Sequence, residues 1–357
     1  MWAMAAKEFR ELRRDRRTVA MLIVLPVVLL VVFGYAANFK VQDIQVTVVG
    51  PQASQAAALL PEPTFQVTDV DPAASESVAR ARLRDGQAVI AVVTGKGSPV
   101  LLMDGTQLFS VQTAESALGR LTLPAGVQRP RVEILYNPDL TTSWVMVPGL
   151  AGLILVFIGT LITSLGVVRE RQAGTLEQLA VMPLRAADVI AGKIAPYLIM
   201  AAVDLVIIVG IGMGVFHVPF TGNVAVFALG AALFLLVTLG MGILVSTVSQ
   251  NQGQAIQLAF MLVLPQVLLS GLIFPISSMA AGVRWISYVL PLTYFIQISR
   301  GVMLKAAPIT ALWEPLGLLA VLAVVVLGLA IARFRRDLAP GSPKTRKSAS
   351  TVARATA

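Results

Sequence analysis

A hydrocarbon core about 30 Å thick takes about 20 consecutive apolar residues in a helix, because each backbone group must be hydrogen-bonded within its own segment. Six stretches of this chain meet that condition: residues 18–37, 143–168, 194–216, 224–248, 255–274 and 312–332. Of all residues, 56% are hydrophobic and 13% charged, about half the charged share of a soluble domain. The sequence therefore predicts an α-helical polytopic membrane protein with six transmembrane helices.

The polar breaks between the apolar runs differ in kind. Residues 169–193, RERQAGTLEQLAVMPLRAADVIAGK, form a longer and more patterned break than a simple loop needs. Thr175 can cap a helix, with Gln178 three residues on. Leu176, Leu179 and Ala180 then fall at helical spacing, and Pro183 ends the run. The pattern fits a short amphipathic helix at the membrane surface, and an ordinary solvated loop fits it as well. At the N-terminus, Trp2, Ala5, Ala6, Phe9 and Leu12 recur at three- and four-residue spacing. Residues 1–17 thus read as an interfacial helix with its bases near anionic membrane lipid; a merely basic tail is the other reading. The following run, 18–37, is longer than a secretory h-region and ends in the poor cleavage site Tyr35-Ala36-Ala37. It reads as an uncleaved signal anchor.

Residues 38–142 change character. Strand-like runs lie at 41–49, 64–70, 87–94, 100–103 and 131–136, and helix-like stretches at 53–60, 76–84 and 106–121. The alternation predicts an inserted α/β domain. Its 8 basic and 10 acidic residues leave it nearly neutral, with no catalytic cluster. Residues 143–332 supply the remaining five spans. Within them, 275–311 contains an apolar but short middle, with Arg284 near its start and Pro291 inside it. A seventh span and a re-entrant segment are both possible there, and charge decides. The tail, 333–357, carries Arg333, Arg335, Arg336, Lys344, Arg346, Lys347 and Arg354 against Asp337, and is expected to be disordered. Six spans put both basic ends in the cytoplasm, as the positive-inside rule requires. The α/β domain is then extracytoplasmic and 275–311 a re-entrant or surface segment.

Several chemistries are missing. With no cysteine, disulfides, thiol catalysis and cysteine-ligated metals are excluded, and one histidine, His217, cannot make a two-histidine site. Neither Gly95-Lys96 nor Gly192-Lys193 sits in a phosphate-binding loop, since Ile90 and Ala187 occupy the first glycine position. No catalytic residue, cofactor site, metal site or nucleic-acid partner is expected. Asp204, near the middle of 194–216, is the intramembrane polar candidate. An aspartate there costs about 3 kcal/mol, which the span's 12 Leu, Ile, Val and Phe residues, at roughly −0.4 kcal/mol each, offset. It is either a functional carboxylate or a structural interhelical hydrogen-bonding group. Glycine rows at Gly149, Gly152 and Gly159, at Gly210, Gly212 and Gly214, and at Gly240 and Gly242 allow close helix approach.

Four stretches are similar to a known family: YNPDLTTSWVMVPGL (136–150), the 169–193 break, VSTVSQNQGQAIQLAF (245–260), and LPQVLLSGLIFPISSM (264–279) with WISYVLPLTYFIQISRGVMLK (285–305). Together they resemble the type 2 ABC transporter permeases, in the exporter-like branch with a large extracytoplasmic domain between the first two spans. The resemblance implies a half-transporter of the bacterial inner membrane. It pairs with a second copy or a paralogue and docks onto separate ATPase subunits, which hold the ATP and Mg. A periplasmic adaptor is a further partner the resemblance admits. By position, Glu170, Thr175, Leu176, Glu177 and Leu179 would form the ATPase-coupling helix, and 1–17 the connecting helix. The implied activity is export of a drug, lipid or other amphiphile by alternating access. Two other classes stay open: an ion-coupled secondary transporter using Asp204, and a non-transporting sensor or mechanotransmitter.

Overall fold

The computed structural model describes residues 43–95, 98–120, 130–174 and 186–338, with Val27 besides. The expected interfacial helix (1–17), first span (18–37), the middle of the polar break (175–185) and the tail from 339 lie outside the described residues. What is described is mostly helical, with one five-stranded sheet.

The sheet unit runs β1 (Ile44–Val49), α1 (Ala53–Ala58), β2 (Phe65–Asp71), α2 (Glu76–Arg84), β3 (Ile90–Val93), β4 (Val100–Asp104), α3 (Leu108–Gly119) and β5 (Arg131–Leu135). In space the strands lie in the order β2-β1-β3-β4-β5. Only β3 and β4 pair antiparallel; β1–β2, β1–β3 and β4–β5 are parallel. Parallel neighbours need long crossovers, and the three helices are those crossovers. Register then sorts the side chains. Val46 and Val48 stand opposite Ile90 and Val92, which stand opposite Met103 and Leu101. These rows share one face and bury Ala53 of α1 with Val111 and Ala114 of α3. The opposite parity, Val49, Ala91 and Leu102, packs on Ala79 and Leu83 of α2. Burial on both faces explains why β1 and β3 read as continuous apolar runs.

Beyond the sheet come α4 (Thr142–Gln172), α5 (Ala186–Gly214), α6 (Val224–Val248), α7 (Gln252–Leu269), a short 3-10 turn (Ile276–Ser278), α8 (Ala281–Ser287), α9 (Pro291–Met303) and α10 (Ile309–Leu338). Five of these, α4, α5, α6, α7 and α10, are long and apolar enough to cross a membrane. The polar break is shorter than the sequence suggests. Helix α4 continues to Gln172 and α5 begins at Ala186. Charge accounts for the extension: Arg169 and Arg171 sit in the last turn of α4 and Asp188 in the first turn of α5, each favourable to its helix dipole. Asn223 and Asn251 cap α6 and α7 through bonds from the amides of Ala225 and Gln254, both 2.8 Å.

Helix α6 is central, packed on α4, α5, α9 and α10. Close approach depends on missing Cβ atoms. A Cβ on Gly242 would lie 2.8 Å from Thr163 and 2.9 Å from the Thr160 carbonyl oxygen; one on Gly152 would lie 2.5 Å from the Phe295 ring. Gly210 and Gly214 face open space instead. The outward side of α5 is apolar, with Met200, Val203, Val206, Ile207 and Ile211 all exposed.

Between residues 275 and 308 the chain is broken. Helices α8 and α9, with 7 and 13 residues, are roughly 10 and 20 Å long, too short to cross. Pro291 occupies the first turn of α9, where its missing amide costs nothing. Phe295 of α9 stacks on Phe234 of α6, ring centroids 4.4 Å apart and 17° from parallel.

Candidate functional site

At the end of the bundle next to residues 173–185, three consecutive residues of α4 reach three other elements. Glu170 forms an ion pair with Lys193 of α5. Arg171 Nη1 donates to the carbonyls of Ser246 (2.7 Å) and Ser249 (2.9 Å) at the end of α6. Gln252 Nε2 of α7 donates to Gln172 Oε1 at 3.1 Å. The last carbonyls of a helix lack intrahelical donors, so a guanidinium from a neighbour satisfies them and locks the two helices in register. A displacement of this end of α4 is thereby shared with α5, α6 and α7. Of the coupling residues read from the sequence, Glu170 is in this clamp; Thr175, Leu176, Glu177 and Leu179 lie outside the described residues.

Asp204 sits on α5, half-buried. It makes no hydrogen bond or ion pair with any described residue.

The opposite end joins the sheet unit to the broken segment. Lys305, just after α9, ion-pairs with Asp104 at the end of β4; their side chains are 9% and 2% exposed. Lys305 Nζ also donates to the Leu83 carbonyl at 3.2 Å and lies 5.7 Å from the centre of the Tyr136 ring. Burial, more than the nearby Asp104 charge, pushes the Tyr136 phenol up to about 12, so its ring faces the ammonium as a neutral phenol. Arg300 of α9 donates from Nε to the Val145 carbonyl of α4 (3.1 Å) and from Nη1 to the Gly271 carbonyl (3.5 Å). Two clefts, of about 490 and 330 Å³, open at this junction, and Gln297 and Arg300 line both.

Residues 16–332 match the ABC-2 family transporter protein model over most of the chain's length. The chain belongs to the ABC-2 family of transporter proteins. Among its relatives are two from Escherichia coli, the probable multidrug ABC transporter permeases YbhR and YbhS. Each is 28% identical to it; the alignments cover 95% of this chain and 99% of YbhR, and 94% of this chain and 97% of YbhS. The inner membrane transport permease YhhJ of Escherichia coli is 29% identical over 57% of this chain and 54% of its own length.

Two features of this ABC-2 chain escape a reading by apolar runs. The Lys305–Asp104 pair spans 201 residues of sequence, and no local pattern signals it. Arg171 looks like an ordinary flanking base, yet it caps another helix. Arg284 and Arg300 did carry a signal: a base within a largely apolar run calls for polar partners wherever it is buried.

Proposed function

We propose that this chain is the membrane-spanning permease subunit of an ATP-driven exporter that moves a drug, lipid or other amphiphile out of the cytoplasm or inner leaflet. The observation that carries the reading is the family match across residues 16–332, which takes in all five described candidate spans up to residue 332. The full-length relatives named as multidrug permeases support an amphiphilic cargo. In this reading residues 18–37 form a sixth span, both termini are cytoplasmic and the sheet unit is extracytoplasmic. Separate ATPase subunits bind ATP and Mg and dock at 169–193, and a second permease copy or paralogue completes the pathway. The clamp of Glu170, Arg171 and Gln172 supports mechanical coupling, since it ties the docking end of α4 to three other helices. ATP-dependent uptake of an amphiphilic dye into inverted vesicles holding the permease and its cognate ATPase is the expected result. Uptake driven by an ion gradient and indifferent to ATP would overturn it.

Two outcomes follow. Single cysteines, Ser116→Cys on α3 and Ser348→Cys in the tail, suit a chain without native cysteine. An impermeant thiol reagent is expected to label the first in intact cells and the second only after permeabilisation; labelling of the second in intact cells contradicts the six-span layout. For Asp204, taken as a structural group that meets a partner outside the described residues, Asp204→Asn is expected to keep most transport, because an amide can hydrogen-bond across helices at about 1 kcal/mol. Transport lost with folding and basal ATPase activity intact would assign the charge itself a role.

A further inference from the structure

The larger cleft lies between the sheet unit and the broken segment, and both Arg284 and Arg300 line it. Each guanidinium is held by neutral backbone acceptors. Arg284 Nη2 donates to the carbonyls of Ser277 (2.6 Å) and Met279 (3.2 Å), as Arg300 does to Val145 and Gly271. Among the described residues neither has a carboxylate within ion-pair distance. Asp104 acts on Arg300 through space but is already paired with Lys305. Asp43 lines the cleft as an exposed residue. Three buried atoms of cleft-lining residues have no hydrogen-bond partner: Arg284 Nε, Arg300 Nη2 and Ser270 Oγ. Buried polar atoms in folded proteins are nearly always satisfied, so an unpartnered donor is open to a bound acceptor. Two of these atoms are cationic donors and the third is a hydroxyl; all belong to residues that line one cleft, where two guanidiniums face the single carboxylate of Asp43.

We propose that this cleft binds a phosphate-type oxyanion, held between the guanidiniums of Arg284 and Arg300 with the Ser270 hydroxyl as a third donor. Arginine forks match phosphate geometry, and backbone clamps on both side chains preorganise the site. The anion can come from a lipid headgroup or from free phosphate in solution. Binding by the isolated permease needs no ATPase, so the proposal stands apart from the direction of transport.

The test uses the purified full chain in a neutral detergent, with native mass spectrometry to count retained lipid. Dioleoyl phosphatidic acid is compared with dioleoylglycerol, which has the same chains and no phosphate, and inorganic phosphate is titrated by thermal shift. Phosphatidic acid is expected to be retained and dioleoylglycerol not. Arg284→Gln is expected to weaken retention about tenfold, as loss of one charge-assisted hydrogen bond implies. Arg284→Lys keeps the charge but not the fork, and an intermediate loss is expected. Saturable stabilisation by inorganic phosphate in wild type but not in Arg284→Gln, without lipid retention, would identify free phosphate as the occupant. Equal behaviour of wild type and Arg284→Gln towards both probes overturns the site, as does equal retention of the two lipids with no saturable stabilisation by inorganic phosphate. Arg284 is the primary position because Arg300 also ties α9 to α4, so that Arg300→Gln can perturb folding.

Discussion

Leu176→Ala combined with Glu177→Ala is expected to leave the permease inserted in the membrane and to strip it of its ATPase. A solvated loop tolerates such changes, since surface substitutions away from special features usually stay within about 0.5 kcal/mol. A docking helix does not. In the proposed arrangement Leu176 and Leu179 fill a groove on the ATPase, with Glu177 beside basic groups there, while Glu170 stays paired with Lys193. Truncating a buried interface anchor commonly costs about 2 kcal/mol or more, roughly a thirtyfold loss of affinity per anchor. Co-purification with the cognate ATPase, from wild type and double variant at equal expression, reads the effect directly. Substrate-stimulated hydrolysis is expected to vanish with it. Undiminished ATPase recovery together with undiminished transport would leave 175–181 as a plain loop.

In the proposed reading, the clamp is what would let one docking patch move a whole bundle. Coupling between distant sites requires elements that shift together. Residues 170, 171 and 172 of α4 are joined to α5, α6 and α7 by an ion pair, two carbonyl caps and a side-chain bond. These contacts lie within one turn of the 173–185 connection. A push there reaches α6, the helix on which α4, α9 and α10 all pack.

How much of this was legible beforehand depends on whether the signal is local. Strands such as IAVV at 90–93 are apolar on both faces, so five short runs were visible as strands within a few residues of their ends. Helices α4 and α5 overrun the apolar boundaries because Arg169, Arg171 and Asp188 complement the helix dipoles, and hydropathy alone treats a charge as an end. The glycine rows divide by partner. Gly152 and Gly242 seat against Phe295 and Thr163, whereas Gly210 and Gly214 meet nothing in the single chain; spacing does not distinguish the two cases. Asp204 had no base in any span core to meet, and Arg284 and Arg300, half-buried, lie instead in the broken segment. The junction between sheet and bundle was not legible at all, since its parts come from residues 83, 104, 136 and 305.

That junction supplies the second large expected effect. Lys305→Met is expected to destabilise the protein by about 3–5 kcal/mol, the usual result of stranding one member of a buried ion pair. The carboxylate left behind, Asp104, is 2% exposed. Its Oδ1 already accepts from the Thr106 amide (3.0 Å) and hydroxyl (2.7 Å), so those bonds cannot replace the lost ammonium at Oδ2. Asp104→Asn strands Lys305 instead, leaving it the Leu83 carbonyl and the Tyr136 ring as partners, while an amide oxygen still serves Thr106. Joining the two changes removes both charges, and a neutral pair in a buried site avoids the desolvation cost that makes each single change severe. The double variant is therefore expected to recover most of the lost stability. Thermal unfolding of the four purified proteins in one detergent gives the cycle, and a double variant that recovers most of the loss corresponds to a coupling of about 3 kcal/mol or more. The pair is shielded from solvent, so raising salt should shift the wild-type midpoint little. Additive single changes, with the double variant the least stable of the four, would mean that Lys305 and Asp104 do not hold the sheet unit to α9.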